Sequence, residues 1–186
     1  MKRFRRYLDL LANINGLGQG EQAVQWLFFP GMLAESRAKW WGDFKRRHAD
    51  HEGVDICFHR PAQCPVRRLE TETMIPAFSG GIIRNICPDF LGHSIVTEPE
   101  EFSSGPFRVL LVYSHLSPVA GLTPGTRVEQ GQILAKLFDT ASKGSILLPH
   151  LHLSCIETPL GIPDAALDWT LFPYRDKVNP INPVFL

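Results

Sequence analysis

Chemistry in this 186-residue chain falls first to its histidines, at positions 48, 51, 59, 93, 115, 150 and 152. His150 and His152 stand in the run Pro149-His150-Leu151-His152-Leu153. Side chains of a strand alternate between its faces, so both imidazoles point one way and both leucines the other. The leucines then serve a core, and the histidines line whatever the opposite face encloses. Two partly buried structural histidines give the same pattern, so the pair marks a site only together with further groups. His51-Glu52-Gly53-Val54-Asp55 offers such groups. Fully extended, residues 51 and 55 lie ~13 Å apart, too far to share an ion. A bend at Gly53, which a glycine permits, brings both within reach of one ion. Without that bend the segment reads as a solvated turn. His115 closes the run Tyr113-Ser114-His115. Alternation puts Tyr113 and His115 on one face, with Val112 and Leu116 on the other.

Two imidazoles and a carboxylate make a three-ligand set with an open fourth position, the arrangement of catalytic rather than structural zinc. Two further histidines beside it would supply proton transfer and oxyanion stabilisation. The four cysteines, Cys57, Cys64, Cys87 and Cys155, form no Cys-x-x-Cys pair. That argues against a closed cysteine zinc site and for small buried hydrophobes. A Cys57–Cys64 bridge is open only to an exported protein.

These residues need elements to position them. The first 45 residues read as helical. Phe4, Leu8, Leu11 and Ala12 fall on one helical face that stops near Asn15-Gly16. A second helix is expected over 21–28 and a third over 32–41. The cluster Arg37, Lys39, Lys45, Arg46, Arg47 reads as a solvated face. From residue 50 the period becomes two, with β-branched residues and Gly/Pro punctuation. Strands are expected at 54–58, 81–86, 94–97, 107–115 and 148–156. Glu98, Pro99, Glu100, Glu101 and Ser103-Ser104-Gly105-Pro106 precede the strongest of them, 107–115, and read as an exposed hairpin loop. The tail from Thr158 is irregular and Pro-rich. The expected fold is therefore mainly β, an antiparallel, sandwich-like β domain over 46–186 preceded by a helical extension over 1–45.

Composition narrows the function classes. Nineteen basic and nineteen acidic side chains cancel, which argues against a nucleic-acid binder held by phosphate neutralisation. With 44% hydrophobic and 20% charged residues the chain is too apolar to be disordered. A chain of this length buries about 70% of its unfolded surface, so it needs no metal merely to fold, and a metal set points to function. The longest apolar run, Trp26 to Ala34, is split by Pro30-Gly31, whereas a membrane-spanning helix needs about 20 apolar residues. Lys2, Arg3, Arg5 and Arg6 give a basic N-terminus, but Asp9, Asn13 and Asn15 interrupt the apolar core that a signal peptide requires. The expected location is cytoplasmic by default.

Taken in order, the motifs resemble the lysostaphin-type zinc metallopeptidases, which cut peptide bonds in bacterial cell-wall peptidoglycan. The pieces are His51-Glu52-Gly53-Val54-Asp55, then Ala77 to Ile83, then Tyr113-Ser114-His115-Leu116-Ser117. Val128-Glu129-Gln130-Gly131-Gln132-Ile133 and His150-Leu151-His152 follow. The resemblance covers residues 48–157. It implies Zn2+ as cofactor, with His51, Asp55 and His152 as its ligands. It implies His115 and His150 as non-ligand catalytic histidines. One takes a proton from water and passes it to the leaving amine, and the other stabilises the oxyanion; which does which stays open. It implies a zinc endopeptidase, peptidoglycan peptides as substrate and the cell envelope as location. The chain departs from the family between Asp55 and Ala77, a longer segment with Pro61, Cys64 and Pro65. It departs again at Ser145-Ile146-Leu147-Leu148-Pro149, where the family carries a Gly/Thr-rich loop. Two alternatives stand beside this reading. One is a non-catalytic peptidoglycan- or partner-binding module of the same fold, and the other an intracellular metal-dependent amide hydrolase. His59 shares a face with Asp55 and Cys57 and is a candidate to support a ligand; His93 reads as structural. The turn at 128–133 also occurs in lipoyl-type and biotinyl-type carrier domains, but no lysine stands at a hairpin tip, which excludes a carrier.

Overall fold

The structure is a computed structural model that describes residues 2–18, 23–102 and 105–186. The expected first helix is α1 (Lys2–Ile14), whose Phe4, Tyr7, Leu8 and Leu11 are buried. Twelve strands follow among the described residues. They are β1 (Gln25–Leu27), β2 (Gly53–Ile56), β3 (Phe58–Arg60), β4 (Arg67–Arg68), β5 (Met74–Pro76) and β6 (Gly81–Pro88). Then come β7 (His93–Pro99), β8 (Phe107–Pro118), β9 (Arg127–Val128), β10 (Ile133–Leu137), β11 (Leu151–Pro159) and β12 (Asn179–Ile181). Glu98 and Pro99, expected in the loop, instead end β7, where they pair with Ile82 and Gly81 of β6. Ser103 and Ser104 of that loop lie outside the described residues, as does the start of the expected second helix. What is described of that second segment contains β1 instead. The third expected helix does not form either. A single 3-10 turn, Pro30–Met32, leads into irregular chain. Pro30-Gly31 is a poor helix interior, and Met32 and Trp40 are committed to burial against Cys57, Leu91 and Leu147, a tertiary demand that overrides helix propensity.

All strand pairings are antiparallel. Nine strands form one sheet in the order β12-β11-β8-β7-β6-β9, with β2 pairing to β11 and β10 to β5 and β8. A separate small sheet runs β1-β3-β4. The mainly β, antiparallel class with an N-terminal helix is the expected one. The β8 strand is apolar on both faces because both are covered. Leu111 and Tyr113 join a core with Val54, Ile56, Leu151, Leu153 and the helix residues Tyr7 and Leu11. Leu110 and Val112 join a second core with Val96, Ile156 and Phe172 on the opposite face. Truncating a leucine of this kind costs about 2–5 kcal/mol. As alternation requires, Leu151 and Leu153 are core residues and His152 faces away from them.

One irregularity in the sheet shapes the site. Between the pairs Ile95↔Tyr113 and His93↔Leu116, β7 advances by two residues and β8 by three. This is a β-bulge, and His115 occupies it with φ at 65°. A left-handed backbone at a non-glycine residue resets the alternation. Tyr113 and Leu116 therefore both enter the helix-side core, and His115 is turned out of it. The expected sharing of a face by Tyr113 and His115 fails for that reason.

Candidate active site

Three chain segments converge on the β11 face that carries His152. β2 pairs with β11 so that Asp55 lies opposite His152 and Gly53 opposite Ser154. Gly53 earns its place by close approach rather than by a bend. A Cβ there would meet the Leu153 carbonyl oxygen at 2.5 Å and Ser154 Oγ at 2.6 Å. His51 precedes β2 on a segment fixed by backbone bonds, Glu35 N–H to His51 O at 2.7 Å and His51 N–H to Ser36 O at 3.1 Å. His115 comes from the bulge in β8, which pairs with β11 on its other side.

His51, Asp55 and His152 form a buried group that could hold a metal ion. His51 Nε2 lies 3.0 Å from His152 Nδ1 and 3.2 Å from Asp55 Oδ1. His152 Nδ1 lies 2.8 Å from Asp55 Oδ1. Ligands on a tetrahedral zinc are about 3.4 Å apart, so this triangle is one face of such a shell, slightly contracted. The remaining polar atoms of all three groups are tied elsewhere, as metal ligands require. His51 Nδ1 faces the Leu33 carbonyl at 3.1 Å and so carries its proton there. His152 Nε2 meets Glu52 Oε1 at 3.1 Å and Ser154 Oγ at 2.8 Å. Asp55 Oδ2 accepts from Trp40 Nε1 at 2.6 Å and Arg47 Nη2 at 3.3 Å.

The electrostatics fit the same reading. Electron pairs this close repel unless positive charge sits among them. Burial would raise the Asp55 carboxyl, but the His51 charge and the His152 bond outweigh it and hold it well below its ordinary value. Burial would lower His152, but its bonds to Asp55 and Glu52 raise it to about 10. Without a metal ion the required charge is therefore a proton on His152.

His150 and His115 stand beside the triangle. His150 Nδ1 faces the Leu148 carbonyl at 2.8 Å, and its Nε2 lies 3.9 Å from Asp55 Oδ1. Burial lowers its pKa to about 3 against the opposing pull of Asp55, so the ring is neutral. The rings of His115 and His150 are 4.8 Å apart. Together the five predicted residues lie around one site. A cavity of about 250 Å³ opens on it, walled by Trp41, Phe90, Leu147 and Trp169 and edged by Arg47 and Glu52.

The other histidines stay away. His59 is buried against Trp26, with ring centroids 5.9 Å apart, and does not line the cavity. Its strand belongs to the small sheet, since the path breaks between β2 and β3. His93 is an exposed residue at the start of β7. Sequence reasoning missed several partners. Arg47, read as part of a solvated face, is half-buried and also donates to the Gly31 carbonyl at 2.7 Å. Trp40 and Asp89 were missed too, because neither lies at a fixed spacing from the residue it serves. The position of Glu52, inside the first motif, was the available signal.

A solved structure described as a putative glycyl-glycine endopeptidase lytM from Ruminococcus gnavus matches over 90% of this chain and 55% of its own. The TM-score is 0.50 at 16% identity. This chain shares the fold of that structure, and the resemblance drawn from the motifs is matched at the level of fold. The catalytic domain of the antimicrobial peptidase lysostaphin from Staphylococcus simulans matches at 18% identity, over 84% of this chain and 88% of that domain, with a TM-score of 0.46. A longer structure of the same peptidase matches at 24% identity, over 61% of this chain and 39% of that one, with a TM-score of 0.41. This chain thus spans well under half of that longer structure. No family model and no curated protein matches the chain. No described helix is long and apolar enough to cross a membrane.

Proposed function

We propose that this chain is a zinc-dependent endopeptidase that hydrolyses peptide bonds of peptidoglycan. The observation that carries the reading is the triangle of His51 Nε2, Asp55 Oδ1 and His152 Nδ1, with edges of 2.8 to 3.2 Å. In this reading those three residues hold the ion. Bound zinc supplies activation of a water molecule and polarisation of the scissile carbonyl. His150, neutral and with its Nδ1 proton tied to Leu148, presents an Nε2 lone pair to the cavity and takes the proton from water. His115 is held in place beside the Asp89 carboxylate, whose Oδ1 lies 3.3 Å from the ring Nδ1. Its ring stabilises the oxyanion, and the proton that His150 takes from water passes to the leaving amine. The aromatic walls exclude bulk water, which strengthens each of these interactions. Peptidoglycan as substrate is supported by the fold, which this chain shares with the structure described as a putative glycyl-glycine endopeptidase.

The test is metal analysis joined to release of fragments from purified sacculi. The zinc-loaded protein is expected to release peptides. His152→Ala and Asp55→Ala are expected to lose both metal and release, and His115→Ala to keep the metal and lose release. Release by the metal-free His152→Ala protein overturns the mechanism. A metal-loaded protein that binds sacculi and frees nothing supports the binding-module reading instead.

A further inference from the structure

A second groove, of about 310 Å³, adjoins the catalytic cavity. Trp41 lines both. The segment Ile146-Leu147-Leu148 serves both as well, with Leu147 in the cavity and its two neighbours in the groove. Phe29, Phe44 and Phe58 complete the groove, and its described lining carries no charged side chain. Three of its walls stand in water, with Phe29 55%, Phe44 71% and Ile146 73% exposed. Contiguous exposure of this kind marks a binding surface rather than ordinary scatter. It is held open by construction. Gly42, with φ at 61°, forms part of the lining, and a Cβ there would press on Ile146 Cδ1 at 3.0 Å. The Arg47 guanidinium covers the Trp41 ring at 4.5 Å and fixes the shared wall.

We infer that this groove is a specificity subsite for a bulky apolar side chain of the peptide whose bond the histidine cluster cleaves. Its position sets the distance. The Trp40 ring lies 5.1 Å from His150 and 5.8 Å from Trp41. An extended peptide advances about 3.3 Å per residue, so the groove receives a side chain within about three residues of the scissile bond. Glycine and alanine have too little surface to cover two exposed rings and an isoleucine, whereas an aromatic or long aliphatic side chain dries them. The inference rests on the peptide-hydrolysis part of the proposed function, and the expected preference would argue for a peptide other than a glycine-rich cross-bridge of the wall as the substrate.

The experiment uses the full zinc-loaded chain and two blocked peptide series, one of glycine only and one with phenylalanine or leucine placed one to three residues from the centre. Tryptophan fluorescence reads binding and chromatography reads cleavage. Peptides with the apolar residue are expected to bind at least tenfold more tightly than the glycine series, a discrimination apolar pockets reach. Phe44→Ser and Ile146→Ser are expected to cut that ratio about tenfold with an unchanged melting temperature, since both side chains are exposed. Apolar peptides that bind and are not cleaved support the subsite and count against the hydrolase reading. Equal binding of both series, or a ratio that both variants leave intact, overturns the subsite. So does a dimer of this chain that Phe44→Ser dissociates while no peptide preference is seen.

Discussion

Asp89 holds His115 at two points. Its Oδ2 accepts the His115 backbone N–H at 2.8 Å, and its Oδ1 lies 3.3 Å from the ring Nδ1. The bulge removes that N–H from the strand ladder, and a buried N–H needs a partner. One carboxylate therefore satisfies the bulge and orients the imidazole. It also closes its own turn, accepting from Leu91 N at 2.9 Å and Gly92 N at 2.7 Å. Asp89 is a positioning residue for the proposed chemistry.

Asp89→Asn is expected to keep the metal and to lower kcat by about 100-fold, at the lower end of what a proton-transfer group contributes. The pH–rate profile should shift as well, because the ring loses its charge partner. A purely structural role would change stability and leave the profile in place. Matched profiles for the two proteins would count against the assignment.

The same residue predicts an acid limit to stability. Burial raises the Asp89 carboxyl, but its bonds to His115 and to backbone N–H groups hold it well below the ordinary carboxylate value. A carboxyl lowered on folding contributes stability above its unfolded value, about 3.9, and loses it as pH falls toward the folded one. Urea unfolding between about pH 2 and 6 should therefore show a decline on acidification that is shallower in Asp89→Asn.

Metal uptake should expel a proton. His152 is raised to about 10 without a metal ion, so it carries a proton at neutral pH that a cation must displace. Calorimetry in buffers of different ionisation enthalpy is expected to give about one proton released per ion at pH 7. Apparent affinity should rise about tenfold per pH unit below that value. Uptake without proton release would contradict the geometry of the triangle.

Trp40→Phe removes the 2.6 Å bond to Asp55 Oδ2 and keeps an aromatic ring beside His150. Partners of this kind orient a ligand without touching the ion. The expected result is a metal affinity lower by about 10- to 100-fold in chelator competition, with the fold retained.

The left-handed backbone at His115 costs about 1–2 kcal/mol for a residue with a Cβ. His115→Gly should therefore be more stable than His115→Ala by up to about 1 kcal/mol, after the greater freedom of glycine in the unfolded chain is counted. Both should be inactive. Thermal or urea melts decide it, and equal stabilities would count against a strained bulge.

The comparison of sequence with structure divides by range. Period-two alternation found β11 and put His152 opposite Leu151 and Leu153, because alternation is local. The same rule failed at His115, where one extra residue in β8 resets it and no motif announces the bulge. Gly53 was singled out, but for flexibility; its use is to let Leu153 O and Ser154 Oγ come close. The helices expected over 21–28 and 32–41 failed because Met32 and Trp40 answer to residues far along the chain. Trp40, Arg47 and Asp89 escaped notice for the same reason, since each finds its partner through the fold rather than through spacing.

In β11, His152 and the core leucines occupy opposite faces of one strand. A slip of a single position against β2 and β8 would bury the imidazole in oil and push Leu151 and Leu153 into the cavity. Misregistered molecules would then lose the proposed catalysis and the packing in one stroke. Specific activity per folded molecule should stay constant during refolding, and turnover can serve as a count of correctly zipped chains.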